Sequence, residues 1–329
     1  MPQISHAYAV GRVRSLERNL LSKQTLERMI SARTADEAAR MLAETGWGDA
    51  QNASQVDKLA QGHMKAACDL IRTCTPEPDV TDCFLVQYDI LNIKTLLKSR
   101  LMGISDPTLS PNGLLDTEKL RHAVAEGRYG DLPKEYQDTM TAIERHVAVE
   151  ADPLFIDVQL DKLMYRMIAE RVTRTKHIPQ ELKAYFAAKA DCVNLLIALR
   201  IHAMGKSADF AAELFVEGGL LTKAQLLSVA ADPTQVMRAV EYKPYAQYVR
   251  KGMERYEHGD GLAPLEKQFD DYCLGLIRSA KYQIASILPL VGYLLARERE
   301  TAAVRLIVTA KAVNAPDDVL QARLRELYA

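Results

Sequence analysis

The chain has 329 residues, 48% hydrophobic and 26% charged, the balance of a soluble globular protein long enough for two or three domain-sized cores. Forty-two Lys and Arg against 43 Asp and Glu leave a formal net charge of -1, so no global field draws the chain to nucleic acid or to an anionic membrane. Five cysteines, an odd number without a C-x-x-C pair, argue against a disulfide framework or a cysteine zinc site and for a reduced, cytosolic setting.

From the start of the chain, Met1-Pro2-Gln3-Ile4-Ser5-His6 lacks the cationic opening and apolar core of a signal peptide. The first strong helix signal is Leu20-Leu21-Ser22 followed by Leu26: Ser22 is a residue type that caps helix N-termini, and Leu26, Met29 and Ile30 share one helical face. Thr34 or Asp36 then caps a helix that buries Ala39, Leu42 and Ala43. The leucine phrase returns as Leu114-Leu115-Asp116 with Leu120 and as Leu220-Leu221-Thr222 with Leu226, where Gln225 completes a capping box.

At 69, 77 and 80 residues after the first leucine of each phrase, an acid stands inside a strongly apolar helical stretch: Asp89, Asp191 and Glu300. Eleven residues beyond each acid comes a cation or histidine, Arg100, His202 and Lys311, placed to complement the dipole at a helix C-terminus. Fourteen beyond come Gly103, Gly205 and Asn314, residues that tolerate the left-handed conformation closing a helix, with Pro107 and Pro316 soon after two of them. These marks recur in the same order three times, so the chain reads as a triplicated unit of about a hundred residues, longer than the repeats of solenoids. The expected modules are residues 1–105, 106–207 and 208–329.

Strand signals are weak throughout: there is no sustained period-2 alternation and no Asn-Gly or Asp-Gly hairpin turn, so the expected fold is all-α. Loops fall near residues 75–79, 105–112, 127–133, 207–208, 217–219, 232–233 and 258–264, with no low-complexity linker. The longest uncharged apolar run, Ile284 to Ala296, has 13 residues and contains Pro289, too short to span a bilayer, which takes about 20. Val13, Leu16 and Leu20 make an apolar stripe at one end, and Leu320, Leu324 and Leu327 make another. An open stack of repeats needs polar caps, so two sticky ends imply closure on each other or packing against a partner.

Motifs for chemistry are missing. No Walker loop, G-x-G-x-x-G or G-x-S-x-G occurs, and the histidines at 6, 63, 122, 146, 177, 202 and 258 include no pair at helical metal-site spacing. No catalytic, cofactor-binding or metal-ligating residue is assigned, and no cofactor is expected. Asp89 with Asn92, and Asp191 with Asn194, place an acid and an amide on one helix face, where they could orient a substrate or bind a cation. Recurrence within one chain favours the other reading, in which each acid is buried in a seam and accepts hydrogen bonds from a neighbouring module's loop or helix start. The third copy keeps Glu300 but has Ala303 at the amide position. Asp152, Asp157 and Asp161 form a further acidic set, in which Asp152 before Pro153 is a helix N-cap. Arg166, Arg171, Arg174, Lys176 and His177 gather cations at a helix C-terminus, or form a dock for an acidic partner.

The opening Tyr8-Ala9-Val10-Gly11-Arg12-Val13-Arg14 with Leu20-Leu21-Ser22-Lys23, the phrase Tyr88-Asp89-Ile90-Leu91-Asn92-Ile93-Lys94-Thr95-Leu96-Leu97, and the closing Gly292-Tyr293-Leu294-Leu295-Ala296-Arg297-Glu298-Arg299-Glu300 with Val304-Arg305-Leu306-Ile307 resemble the C subunits of bacterial and archaeal V-type (A-type) ATPases, counterparts of the d subunit of eukaryotic V-ATPases. Ala303 departs from the polar residue expected there. The resemblance covers the whole chain. It implies a pseudo-threefold funnel of three helical modules, a non-catalytic part of the central stalk on the cytoplasmic side of the membrane. Its partners would be the central rotor shaft and the membrane proteolipid ring, and its role to pass torque between them in ATP-coupled proton or sodium transport. The isolated chain is expected to be a monomer. The alternative from the residues alone is a helical-repeat adaptor or scaffold outside any rotary machine.

Overall fold

The computed structural model describes residues 4–328. Among them there is no strand. The helices are α1 (His6–Glu17), α2 (Lys23–Ser31), α3 (Ala35–Arg40), α4 (Val56–Cys74), α5 (Pro78–Leu101), α6 (Thr117–Glu126), α7 (Lys134–Val147), α8 (Pro153–Arg174), α9 (Gln180–Ala203), α10 (Ala208–Ala212), α11 (Lys223–Ala231), α12 (Val236–Ala239), α13 (Ala246–Glu257), α14 (Ala263–Ser279), α15 (Leu288–Ala312) and α16 (Asp317–Arg323). The fold is all-α, as the sequence predicts, and none of these helices is long and apolar enough to cross a membrane.

The helix starts follow from local chemistry. Ser22, Asp116 and Thr222 each accept a first-turn N–H, and Thr222 with Gln225 closes the reciprocal capping box. Asp152 caps α8 with Pro153 at its first position. Thr34, not Asp36, caps α3, because the Asp36 carboxylate is taken by the Ala53 N–H. That helix ends sooner than expected: beyond Arg40 the chain tightens into a 3₁₀ turn over 43–45, leaving Ala43 exposed while Ala39 and Leu42 are buried.

The three long helices close alike. Gly103, Gly205 and Asn314 have φ of 66, 65 and 52°. After them the N–H groups of Ile104, Lys206 and Ala315 reach back to the carbonyls of Ser99, Ile201 and Ala310, the Schellman pattern that satisfies the last free carbonyls.

The chain gathers into two compact units. The first holds the chain through Pro78, then Pro179–Tyr185 and Val240 onward; the second holds Asp79–Ile178 and Phe186–Ala239. In the first, α15 is buried along most of its length and packs on α1, α2, α3, α4, α14 and α16. Its first half, from Leu288 to Arg297, is buried on every side and so carries no polar stripe, whereas the second half exposes Ala302 and Thr309 on one face. Leu21, Leu26, Met29 and Ile30 from the start of the chain share one core cluster with Val304, Ile307 and Leu320 from its end, and Leu324 and Leu327 pack on its margin. The Leu320, Leu324 and Leu327 stripe therefore meets the segment from Leu21 to Ile30, while Val13, Leu16 and Leu20 of the other expected stripe are not part of that cluster. In the second unit, Lys94 and Lys98 of α5 pair with Asp161 and Asp157 of α8, each at 2.6 Å, and Phe84 lies 4.9 Å from Phe186, centroid to centroid. Asp152 stands apart at its cap, so the three acids of that segment do not converge.

Candidate functional site

The acids that recur in the sequence are the centre of an arrangement built three times among the described residues. Asp89 on α5 and Asp191 on α9 are 0% exposed and Glu300 on α15 is 1% exposed. Burying an ionised carboxylate costs several kcal/mol unless its lone pairs are filled. Each aspartate is met by both N–H groups of a leucine pair, and the glutamate by one. Asp89 Oδ2 and Oδ1 accept the N–H groups of Leu114 and Leu115 at 3.0 and 2.9 Å. Asp191 Oδ2 and Oδ1 accept those of Leu220 and Leu221 at 2.8 and 2.9 Å. Glu300 has no fourth pair to meet; its Oε1 accepts the N–H of Leu21, in the first pair, 279 residues back. The pairing order is thus cyclic: first acid to second pair, second to third, third to first.

The amides three residues on extend the two aspartate seams. Asn92 donates to Ser110 O and accepts from Ser110 N–H, both at 2.8 Å, and Asn194 does the same with Val216 at 2.9 and 2.8 Å. A side-chain amide presents the same donor and acceptor as a peptide, so it pairs a stretch of backbone that no helix or strand satisfies. In the third copy Ala303 cannot do this, and the seam is built differently. Arg297, one helical turn before Glu300, donates to Glu300 Oε2 at 2.5 Å, to Asn19 O at 3.3 Å and to the Tyr293 hydroxyl at 3.1 Å. Burial works against its charge, but the Glu300 carboxylate and the Tyr293 hydroxyl outweigh it and hold the guanidinium above its ordinary pKa. Leu20 N–H is left to Glu17 O.

A glycine sets the approach in the aspartate seams. A Cβ at Gly113 would lie 2.1 Å from Asp89 Oδ1, and one at Gly219 would lie 2.2 Å from Asp191 Oδ1. Neither residue has a left-handed φ, so the requirement is one of space. Where the acid is the longer glutamate, the corresponding residue is Asn19. Tyr136 adds a further contact: its hydroxyl faces Asp89 Oδ2 at 3.4 Å, and burial followed by the Asp89 charge pushes its pKa well up.

The +11 residues lie in the last turns of their helices, as expected, and two of them also bond another helix. Arg100 donates to Val124 O at 2.5 Å, near the end of α6, and pairs with Glu144 at 2.6 Å. The His202 ring Nδ1–H donates to Ala230 O of α11 at 3.0 Å. Eleven residues of helix span about 16 Å. This matches the length of the short helix alongside, so α5 holds α6, and α9 holds α11, by the backbone at both ends. Lys311 instead pairs with Asp317 at 2.8 Å.

Asp89, Asn92, Asp191, Asn194 and Glu300 were legible in the sequence. Gly113, Gly219 and Arg297 were missed, although a glycine directly before the second and third leucine pairs, and an arginine three residues before the third acid, were signals in plain view. The basic segment 166–177 is partly neutralised, with Arg171 3.6 Å from Glu135, and its helix ends at Arg174 as a plain C-terminus.

These seams define a class, an all-helical protein in which buried acids bolt three long helices to leucine pairs that precede shorter ones. A sequence model of the family described as "ATP synthase (C/AC39) subunit" matches residues 9–323, and the chain belongs to that family. Relatives include the C subunit of a V-type sodium ATPase from Enterococcus hirae, 25% identical over 96% of this chain and 97% of the relative. The C subunit of an A-type ATP synthase from Haloferax volcanii is 24% identical over 96% of both chains. Its namesake from Methanocaldococcus jannaschii is 22% identical over 98% of this chain and 86% of the relative.

Proposed function

We propose that this chain is a non-catalytic part of the central stalk of a V-type (A-type) rotary ATPase, a socket that joins the central rotor shaft to the membrane proteolipid ring and passes torque between them. On this reading it sits peripherally on the cytoplasmic side of the membrane, and the isolated chain is a monomer. Its three modules, 1–105, 106–207 and 208–329, make up a pseudo-threefold funnel. The observation that carries the reading is the family match over residues 9–323, joined to a seam chemistry suited to the task. A torque-bearing part must resist shear, and directional hydrogen bonds from buried acids resist sliding between helices better than apolar contact alone, which is non-directional. Each aspartate carboxylate accepts a backbone N–H at both oxygens and is closed to solvent, which supports an anchoring use.

Reconstituting shaft, catalytic head and proteolipid ring with and without this chain tests the proposal. Rotation and ion coupling should fail without it while ATP hydrolysis by the detached head continues. Tight coupling in its absence would end the socket reading, and ATP turnover by the pure chain, abolished by a point substitution in it, would end the non-catalytic one.

A further inference from the structure

Three long helices, α5, α9 and α15, each carry a buried acid; two leucine pairs offer both N–H groups to one, and the first pair offers that of Leu21 alone. Near-identical parts invite mispairing during folding, because a wrong helix on a wrong pair satisfies much of the same chemistry. The first two connections join modules that are neighbours in sequence, so the tether favours them. The third must find a partner 279 residues away, where nothing in the connectivity chooses for it.

We infer that Glu300, Arg297 and Asn19 form a key that lets α15 close on the first leucine pair and excludes α5 and α9 from it. The exclusion is steric. In the aspartate seams the residue before the pair must be glycine, since a Cβ there would lie 2.1 or 2.2 Å from the carboxylate oxygen and 3.0 or 2.9 Å from its carbon. The first pair is preceded by Asn19, whose Cβ would stand in that position against Asp89 or Asp191. The reverse docking is blocked as well. The glycine Cβ position is 3.2 Å from Asp89 N and 3.4 Å from Asp191 N, so helix and loop backbones nearly touch. A glutamate, one methylene longer, has no room to stand between them. At Arg297's position three before the acid, α5 and α9 carry Val86 and Ala188, both fully buried. An arginine there would have to fit into space that the small side chains of Val86 and Ala188 now fill. Two seams share one key and the unguided seam has its own. This holds whatever partners the chain has, and does not rest on the rotary reading.

The test uses the isolated full chain. Glu300→Asp alone should lower Tm by about 4 to 10 °C, because the shortened acid no longer reaches Leu21 N–H. Adding Asn19→Gly should recover at least about half of that loss by letting the helix approach as it does at Gly113 and Gly219. Failure of Asn19→Gly to restore any of the loss would overturn the length match between acid and preceding residue. The decisive variant is Asn19→Gly/Arg297→Val/Glu300→Asp, in which all three seams carry the same key. On dilution from guanidinium, its yield of native monomer by size exclusion should fall at least about twofold below wild type, with trapped or oligomeric species taking the remainder. A yield and refolding rate equal to wild type in that variant would show that the third seam is merely built differently and selects nothing.

Discussion

Gly113→Ala isolates the space requirement of the aspartate seam. The added methyl would sit 2.1 Å from Asp89 Oδ1, where an ordinary contact begins near 3.4 Å, so the carboxylate or the loop before α6 must retreat by more than an ångström. At 2.9 and 3.0 Å, neither hydrogen bond to Leu114 or Leu115 survives such a displacement intact. Hydrogen bonds to a charged group contribute about 1.5 to 3 kcal/mol each, so losing one to two of them costs about 3 kcal/mol and at most about 6. The expected fall in Tm for 3 kcal/mol is about 6 to 12 °C in a unit of this size. A double-mutant cycle makes the reasoning refutable. In an Asp89→Ala background the colliding carboxylate oxygen and carbon are gone, while the backbone nitrogen of residue 89 stays at 3.2 Å. Gly113→Ala should then be nearly neutral, or mildly stabilising through the entropy of the unfolded chain. Thermal or guanidinium melts followed by circular dichroism on the four proteins give the coupling energy. Additivity within about 0.5 kcal/mol would mean that the glycine and the acid do not meet, and the account of the seam would fall.

Asp191→Ala should cost about 1 to 3 kcal/mol for each N–H it leaves unpaired, seen as a lowered melting temperature before any partner contact is lost; wild-type melting with failed assembly would make the residue a contact point instead. Arg297→Met leaves Glu300 in a buried site without its cation, for about 3 to 5 kcal/mol, while Arg297→Met with Glu300→Met should recover part of it in chemical denaturation. Burial lifts the Cys83 thiol from 9.0 to about 12, so its neutral form is favoured in the fold. That contribution is complete below pH 9 and lost as pH rises towards 12, so stability should decline over that window, and iodoacetamide at pH 8 should leave Cys83 unmodified in the native chain. Asn314, at φ 52°, occupies the place of Gly103 and Gly205; Asn314→Gly should be neutral or slightly stabilising in a thermal melt, and Asn314→Val should cost about 1 to 2 kcal/mol.

The sequence by itself determined what depends on a few neighbouring residues. Ser22, Asp116 and Thr222 start helices because their side-chain oxygens reach N–H groups two or three positions ahead, and Gly103, Gly205 and Asn314 end them because the left-handed turn is a property of one residue. Those local marks recur three times in the same order, and apolar helical stretches around Asp89, Asp191 and Glu300 implied that the acids are buried. Only the tertiary structure decided what the acids and cations touch. Nothing in a spacing of 25 or 29 residues says that Asp89 meets Leu114 or that Asp191 meets Leu220, and still less that Glu300 meets Leu21 from the far end of the chain. Arg100 and His202 stand where a helix dipole would want them, yet packing hands them the carbonyls of a neighbouring helix. The grouping into compact units also follows packing, with 208–239 in one and 240 onward in the other. The physical reason is one of range. Caps and turns are fixed by atoms a few bonds apart, whereas a seam is fixed by which surfaces exclude water together, and the order of residues along the chain carries no direct record of that.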